Sequence, residues 1–431
     1  MKTASSLIRA VSVWATFGML AGCGGSASTV AQGIPAEPLA HYLSQGAFRV
    51  LHSFSAYSDG AEPRGALIFD TNGALYGTTS EGGLDRCFEF NDRPCGTVFK
   101  LTPSGSGYSE SIVYEFQGSD GATPLANLVF DTKGALYSTT LYGGPRKCFC
   151  GTVFKLTPSQ SGYTENILFS FTGRNGYPFA GVLLGTNGAF YGTTDSPGAA
   201  FELTPSASGY SETILHRFRN KGHDRDGTYT GSDLIFGKGG ALYGTAEGGG
   251  VASCPGGCGT VFKLTLPSHH VKVIHSFADS DGASPVAGLI SDAKGALYGT
   301  TADGGSGACY AGCGTVFKLT PSALGYTESV LYSFTGSPDG SAPYGNLVFD
   351  KNGALYGTTR GGGVPSCDCG TIFKLTRSGS GYAESVMHSF SGNTDGASPY
   401  AGLIIDKQGA LYGTASSGGS AGNGTVFELT P

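Results

Sequence analysis

The chain repeats one short phrase seven times. The phrase is Gly-Ala-Leu-Tyr-Gly-Thr-Thr or a close variant, and its tyrosines are spaced by 52 to 61 residues, at Tyr76, Tyr137, Tyr191, Tyr243, Tyr298, Tyr356 and Tyr412. A second phrase, Gly-Thr-Val-Phe-Lys-Leu-Thr-Pro or a variant, follows in most repeats. A regular period of this size, filled with short β-type segments, predicts a repeat architecture.

Each repeat divides into four short strands. In the fifth repeat we assign strands to residues 288–290, 296–301, 315–320 and 328–334, separated by turn residues and a glycine-rich loop. Four antiparallel strands per repeat are typical of a β-propeller blade. The sequence therefore predicts an all-β, seven-bladed β-propeller, with an open β-solenoid as the alternative.

The two ends of the repeat region complement each other. Residues 50–54 match a fourth strand that lacks the first three, and residues 424–431 match a third strand that lacks a fourth. We expect the N-terminal fourth strand to pair with the C-terminal blade and close the ring, because closure removes exposed sheet edges. An open solenoid would leave this complementarity unexplained.

The first residues are typical of a targeting segment. Lys2 and Arg9 supply positive charge before an apolar run over residues 10–20. Leu20-Ala21-Gly22-Cys23 then resembles a bacterial lipobox, in which the cysteine is lipidated. The run is shorter than the roughly 20 residues that a membrane-spanning helix needs. A plain secretory signal is the alternative.

These features predict three regions: a lipoprotein signal peptide at 1–22, a flexible tether at 23–46 and the propeller at 47–431. We expect a bacterial cell-envelope protein, held at the membrane through a lipid on Cys23 and facing the periplasm or the cell exterior. A monomer is expected.

Charge and motifs exclude several function classes. The net charge is −6, only 13% of the residues are charged, and no basic stripe is present, so nucleic acid is not an expected partner. The chain also lacks a phosphate-binding loop, a dinucleotide fingerprint and a metalloprotease helix. We therefore expect no cofactor and assign no metal site.

The Ala-Leu-Tyr-Gly-Thr-Thr and Gly-Thr-Val-Phe-Lys-Leu phrases resemble a known bacterial family. This is the choice-of-anchor tandem-repeat family, also called the GloVer or Gloeo-Verruco repeat, and the resemblance covers residues 49–431. It implies an exported protein with one of several kinds of anchor. It brings no established reaction and no catalytic residues.

Ten cysteines besides Cys23 form five close pairs, each between the second and third strands of a repeat. An oxidising compartment favours disulfides. The predicted pairs are Cys87 with Cys95, Cys148 with Cys150, Cys254 with Cys258, Cys309 with Cys313, and Cys367 with Cys369. A four-thiolate zinc site built from adjacent repeats is the alternative.

Most repeated polar residues have a structural interpretation. The aspartates that precede the tyrosine phrase predict Asx turns, with calcium binding as the alternative; they are Asp70, Asp131, Asp292, Asp350 and Asp406. Four histidines occupy a position that tyrosine or phenylalanine takes in other repeats, which predicts a packing role; they are His52, His216, His275 and His388.

Irregular loops are the remaining candidates for binding. An insertion over residues 220–232 contains His223, Asp224, Arg225 and Asp226, and a loop of the first repeat contains Phe88 and Phe90. We place these loops on the face that carries the cysteine pairs, which we call the upper face. The alternative is that the insertion is a solvent-exposed loop that binds no ligand.

We therefore expect a non-catalytic ligand-binding or scaffold propeller for a glycan or a protein. The alternative is a carbohydrate-active lyase or hydrolase that uses carboxylates on the upper face. No catalytic residue is assigned.

Overall fold

The computed structural model describes residues 47–431, except 57, 84–85, 88–92, 146–147, 149, 161, 197, 208, 222–223 and 252, with backbone alone at 86–87, 93–94, 220–221 and 224. The predicted signal peptide, the tether, Cys23, Phe88, Phe90 and His223 lie outside the described residues. Among those described, no helix is long and apolar enough to span a bilayer.

Seven four-stranded antiparallel sheets form a seven-bladed β-propeller, which confirms the predicted fold class. We number the strands of each blade 1 to 4 from the axis outwards. Strand 1 of blades 1 to 7 is Ile68–Phe69, Val129–Phe130, Leu183–Leu184, Ile235–Phe236, Ile290–Ser291, Val348–Phe349 and Ile404–Ile405. Strand 2 is Leu75–Thr79, Leu136–Thr140, Phe190–Thr194, Leu242–Ala246, Leu297–Thr301, Leu355–Thr359 and Leu411–Ala415.

The outer half of each blade is longer. Strand 3 is Thr97–Ser104, Thr152–Ser159, Ala199–Ser206, Thr260–Thr265, Thr315–Ser322, Thr371–Ser378 and Thr425–Thr430. Strand 4 is Gly107–Glu115, Gly162–Ser170, Gly209–Arg217, His270–Ser276, Gly325–Ser333, Gly381–Ser389 and, in blade 7, Ala47–Ser53. The other elements are two short hairpins, Arg86–Cys87 with Arg93–Pro94 and Asn220–Lys221 with Asp224–Arg225, and a 3-10 turn at Lys238–Gly240.

The ring closes as the sequence predicts. Strand 4 of blade 7, Ala47–Ser53, pairs antiparallel with strand 3, Thr425–Thr430, with Ala47 opposite Thr430 and Ser53 opposite Thr425. Phe48 of the closing strand stacks on His388 of blade 6, with ring centroids 3.8 Å apart. The first and last strands of the described chain therefore complete one blade.

The apolar core lies between blades. Each cluster of buried side chains combines residues of two neighbours, as where Ala74 and Tyr76 of blade 1 pack with Leu136 and Phe154 of blade 2. The glycine in the repeated phrase is required by this packing, because a Cβ on Gly77 would lie 2.5 Å from Cζ of Phe99. Strand 2 is buried along its whole length for the same reason.

The first threonine of the phrase joins each blade to the next. Its hydroxyl donates to a backbone carbonyl near the start of the following blade, with donor–acceptor distances between 2.8 and 3.5 Å: Thr78 to Ala126, Thr139 to Ala180, Thr193 to Ser232, Thr245 to Ala287, Thr300 to Gly345, Thr358 to Ala401, and Thr414 to Gly65. These seven hydrogen bonds form a closed ring that surrounds the axis.

The repeated aspartates form turns, as predicted. Oδ1 of Asp70 accepts hydrogen bonds from the backbone N–H groups of Asn72 and Ala74, at 2.8 and 2.9 Å. The other four predicted aspartates have equivalent bonds. These are Asx turns, which connect strands 1 and 2.

The histidines of strand 4 combine packing with a polar partner. Nε2 of His275 lies 3.1 Å from Oδ2 of Asp281, and its ring packs edge-on against Phe277. Tyr332 in the equivalent position donates to Asp339 at 3.1 Å. The ring positions are therefore packing positions that also tie strand 4 to the following turn.

Candidate functional site

Three polar side chains from different blades are hydrogen-bonded to one another near the axis of the propeller. Asp233 of blade 4 accepts hydrogen bonds from the side-chain amides of Asn127 in blade 2, at 2.6 Å, and Asn346 in blade 6, at 3.2 Å. Its other carboxylate oxygen accepts a bond from the backbone N–H of Gly181 at 3.1 Å. These residues occupy equivalent positions in their repeats, so the blades bring them together at the axis.

Burial raises the pKa of Asp233, and the three N–H donors oppose that shift. The donors all point at its carboxylate oxygens, an arrangement that suits the ionised form. Asp233 keeps some surface accessible from the upper side, where it forms part of the floor of a cavity.

The cavity opens above this floor and has a volume of about 310 Å³. Its wall is formed by the loops that enter strand 1 and by the first residues after strand 2, which places it on the upper face. Aromatic side chains contribute much of the wall. Tyr229 is 54% exposed and Phe179 is 45% exposed, whereas Tyr344 and Tyr400 are partly buried against each other, with ring centroids 5.4 Å apart.

The position directly after strand 2 is acidic in two adjacent blades and an arginine in a third. The first residue after strand 2 is Ser80, Leu141, Asp195, Glu247, Ala302, Arg360 and Ser416 in blades 1 to 7. Asp195 and Glu247 line the cavity from adjacent blades, and no hydrogen bond joins either carboxylate to another described side chain. The acidic side of the mouth therefore has two accessible, unpaired carboxylates.

The carboxylates on this side influence one another. Burial, followed by the charges of Asp195 and Asp303, raises the pKa of Glu247. Burial also raises the pKa values of Asp195 and Asp303. A positively charged neighbour or a bound proton would stabilise each of these carboxyl groups.

The opposite side of the mouth is cationic. The guanidinium of Arg64 lies over the ring of Tyr400, 4.8 Å from its centroid, and pairs with Glu62 at 2.9 Å. Nε of Arg64 is buried and has no hydrogen-bond partner in the described part of the chain. Arg360 lies over the same tyrosine ring at 5.3 Å, and over that of Tyr344 at 6.0 Å.

The arrangement suits binding of a small ring-shaped polar ligand. Ligand sites in proteins are usually concave and largely apolar, with a few polar groups that fix orientation. Here aromatic faces, the carboxylates of Asp195 and Glu247 and the guanidinium of Arg64 line one cavity, and Arg360 packs behind its tyrosines. No group of three or more His, Cys, Asp or Glu side chains is placed to hold a metal ion within the described ranges.

The predicted binding residues that the structure describes lie outside this cavity. Asp224 and Arg225 belong to the short hairpin that precedes blade 4. The carboxylate of Asp226 bonds to His216 and to the backbone N–H of Arg219, so it is the blade's turn aspartate. Arg225 and Asp226 line a second cavity of about 810 Å³ beside the outer strands of blades 3 and 4. Their role in binding stays a prediction.

The cysteine pairs agree with the predicted pairing wherever both side chains are described. Disulfides join Cys148 to Cys150, Cys254 to Cys258, Cys309 to Cys313, and Cys367 to Cys369. Cys95 is also disulfide-bonded, and the side chain of its predicted partner Cys87 lies outside the described set.

The axial cavity was not predicted from the sequence. Its signal was present in the repeats themselves, at two positions whose side chains change from blade to blade. One is the residue after strand 2, which is acidic only at Asp195 and Glu247. The other is the polar residue two positions before strand 1 at Asn127, Asp233 and Asn346. Comparing the repeats position by position would have identified both.

Comparisons with solved structures show the fold. The extracellular domain of a candidate one component system from B. thetaiotaomicron is 13% identical, with a TM-score of 0.50 over 87% of this chain and 40% of that chain. A candidate 6-phosphogluconolactonase from Bacteroides fragilis NCTC 9343 is 14% identical, with a TM-score of 0.48 over 81% of this chain and 88% of that chain. No curated protein matched the sequence.

A family model supports the resemblance seen in the sequence. The model described as the Gloeobacter/Verrucomicrobia repeat matches residues 39–256 and 252–431. These matches include every blade of the propeller. The chain therefore belongs to the Gloeobacter/Verrucomicrobia repeat family.

Proposed function

We propose that this protein is a glycan-binding propeller whose site is the axial cavity on the upper face. One observation carries the proposal: solvent-exposed aromatic rings, the guanidinium of Arg64 and the carboxylates of Asp195 and Glu247 line the same cavity of about 310 Å³. Sugar rings have apolar C–H faces that pack on aromatic side chains, and hydroxyl groups that bond to carboxylates and guanidinium groups.

The regularity of the rest of the propeller supports this assignment. Threonines, glycines, turn aspartates and strand-4 rings serve packing and hydrogen bonding in almost every blade. Asp195 and Glu247 have no such shared role, since other blades carry different residues there. The positions of Tyr229 and Phe179 are aromatic in only some blades, the others being Tyr177, Tyr344 and Tyr400. Exposed apolar side chains that cluster in a groove often mark a binding site.

Glycan screening with aromatic variants tests the proposal. We expect the protein to bind a subset of an array of bacterial and plant oligosaccharides, and Tyr229→Ala and Phe179→Ala to weaken binding at least about tenfold, because each removes a stacking face. Tyr229 has a φ of 55°, and blade 6 has Ala342 with a φ of 52° at the equivalent position, so alanine fits this backbone.

Tyr310 supplies the matched control. It is fully exposed on a cysteine loop and does not line the cavity. Tyr310→Ala should leave glycan binding unchanged. A protein that binds no oligosaccharide, or whose binding is indifferent to Tyr229 and Phe179, would contradict the proposed function.

The acidic side of the mouth favours one alternative, a carbohydrate-active enzyme. Glu247 is accessible in the cavity, and burial with the nearby Asp195 and Asp303 raises its pKa, as in many general acids. Glycan hydrolysis by a Glu247→Gln variant separates the alternatives. Turnover by the wild type that this variant loses favours catalysis, whereas binding without turnover favours a lectin-like role.

We also propose that Cys23 anchors the protein to the envelope membrane as a lipoprotein. The support is the lipobox Leu20-Ala21-Gly22-Cys23 behind a short apolar run. Metabolic labelling with a fatty-acid analogue in a bacterial host should mark the wild type, and Cys23→Ser should abolish the label and release the protein from membranes. An unlabelled wild type would contradict the anchor.

A further inference from the structure

The charges around the axial cavity are sorted by side, which restricts the ligands that the cavity can accept. Asp195 and Glu247 stand on adjacent blades 3 and 4, and Asp233 lies in the floor beneath them. Arg64 and Arg360 lie on blades 1 and 6, where both pack on the ring of Tyr400.

The two sides differ in how far their charges are already satisfied. On the cationic side, Arg64 pairs with Glu62, and Tyr400 lies beneath both guanidinium groups. On the acidic side, the described residues supply no cation to Asp195 or Glu247. Arg360 has no described carboxylate partner but packs on two tyrosine rings, whereas the two carboxylates of the acidic side have no described cation at all.

Aromatic rings border the acidic side as well. Phe179 and Tyr229 belong to blades 3 and 4, the same blades as Asp195 and Glu247. A carboxylate beside an exposed aromatic face is a favourable environment for an ammonium group, because the ring quadrupole and the carboxylate both attract the cation. A neutral sugar would leave the carboxylates without a charged partner.

We infer that the cavity selects a glycan that carries a free, protonated amine, with the ammonium group held between Asp195 and Glu247 and the sugar ring stacked on Phe179 or Tyr229. This inference rests on the proposed glycan-binding function and names its ligand class, a polymer of de-acetylated amino sugar.

Three oligosaccharides of matched length test the inference by calorimetry on the full chain. They are a glucosamine oligomer, its fully N-acetylated form and a galacturonate oligomer, which are cationic, neutral and anionic. At mildly acidic pH and low salt we expect the cationic oligomer to bind at least about tenfold more tightly than the neutral one, since a charged hydrogen bond is stronger than a neutral one. This preference should decrease as salt is added.

Other blades supply substitutions that the fold already accepts. Serine is present at the equivalent ring position in Ser80 and Ser416, so Asp195→Ser with Glu247→Ser should fold normally. This double variant should lose the preference for the amine and keep its affinity for the neutral oligomer within about threefold, because the stacking rings remain. Arg360→Ser should have the opposite effect and tighten binding of the cationic oligomer.

Glu115→Gln is the matched charge control, since Glu115 lies at the end of strand 4 in blade 1 and outside the cavity. It should change none of the three affinities. Equal binding of the cationic and neutral oligomers, or tightest binding of galacturonate, would overturn the inference and leave glycan binding intact. Binding of none of the three would overturn the inference together with the proposed function.

Discussion

Each threonine of the repeated phrase has its own partner. The hydroxyl of the first threonine donates to the next blade, as from Thr193 to the carbonyl of Ser232 at 2.8 Å. The second threonine joins strands 2 and 3 of its own blade, as between the hydroxyls of Thr359 and Thr371 at 2.8 Å. Both positions are buried, so these side chains stabilise the blade and its contact with its neighbour.

Loss of one inter-blade hydroxyl should destabilise the protein measurably. Thr193→Val keeps the shape of the side chain but leaves the carbonyl of Ser232 without this donor in a buried setting, so we expect a loss of about 1–3 kcal/mol in the free energy of unfolding. Urea denaturation measures this loss. Thr376→Val, at an exposed position of strand 3, is the control and should change stability by less than about 0.5 kcal/mol. Equal effects of the two variants would contradict the role of the ring.

Glutamates of strand 4 make stability depend on pH. Oε1 of Glu110, Glu165, Glu328 and Glu384 is buried and has no hydrogen-bond partner among the residues that the structure describes. Burial, followed by a nearby aspartate, raises the pKa of the first three to about 7 and that of Glu384 to about 8. The folded protein therefore holds protons that the unfolded chain has already released.

Since folding raises these pKa values, the protonated glutamates stabilise the folded protein at low pH. This stabilisation is lost as the pH rises towards 8. Burial lowers the pKa of His275 and His388 from its ordinary value of 6.5, which acts in the other direction, because their contribution is lost as the pH falls below that ordinary value. We expect the free energy of unfolding to decrease from about pH 6.5 to 8.5. Glu384→Gln should reduce that decrease, whereas Glu115→Gln should not. A slope unchanged by Glu384→Gln would refute this explanation.

At the scale of single elements, blade 3 shows a departure from the repeat that is compensated locally. In blade 2 the hydroxyl of Tyr137 donates to the turn aspartate Asp131 at 2.9 Å. Blade 3 has Gly185 in place of that aspartate, and the hydroxyl of Tyr191 donates instead to Glu202 at 2.8 Å. Glu202 occupies the position of a lysine in most other blades, so the exchange supplies the missing acceptor.

The cysteine loops should contribute a modest share of stability. In blade 5 the disulfide between Cys309 and Cys313 closes a loop with a sequence separation of 4. The chain-entropy model gives about 2 kcal/mol for so short a loop, so Cys309→Ser with Cys313→Ser should lower the free energy of unfolding by about that amount. Thiol titration of the denatured wild type without reductant should detect none of the eight sulfurs in the four described pairs. Reactive thiols at these positions would instead support the zinc alternative.

At the scale of the whole molecule, closure of the ring depends on a strand contributed from the other end of the propeller. Ala47–Ser53 covers the edge of Thr425–Thr430, and Phe48 packs between His388 of blade 6 and Phe427 of blade 7. An uncovered edge strand is a template for pairing with another chain. Closure therefore protects the fold as well as completing it.

Removal of the closing strand should destabilise the propeller and cause self-association. Deletion of residues 47–53 exposes the edge of blade 7 and removes Phe48, so we expect a loss of at least about 3 kcal/mol in unfolding free energy. Gel filtration should show oligomers or aggregates at moderate concentration. Deletion of residues 30–36, an equal length of the predicted tether, should leave both properties unchanged. A monomer of wild-type stability after the first deletion would show that closure is dispensable.

The sequence by itself determined the number of blades, the strands of each blade, the turns and the closure of the ring. All of these follow from local patterns: the period of the repeat, apolar residues beside turn signals, and the complementary ends. The cysteine pairs also follow from a local pattern, because the two members of each pair are close in sequence and lie in one loop. The partners of the strand-4 histidines were missed, although His275 and Asp281 are only six residues apart, because their shared position suggested packing alone.

Only the tertiary structure decided the site. Asp233 is separated from Asn127 by 106 residues and from Asn346 by 113, and no local pattern marks them as neighbours. Closure of a seven-blade ring brings equivalent positions of all blades to one axis, so residues that look like isolated exceptions in the sequence become the floor and wall of one cavity. The fold is encoded by what the repeats share, and the site by the few positions where they differ, which acquire meaning only once the ring has placed them side by side.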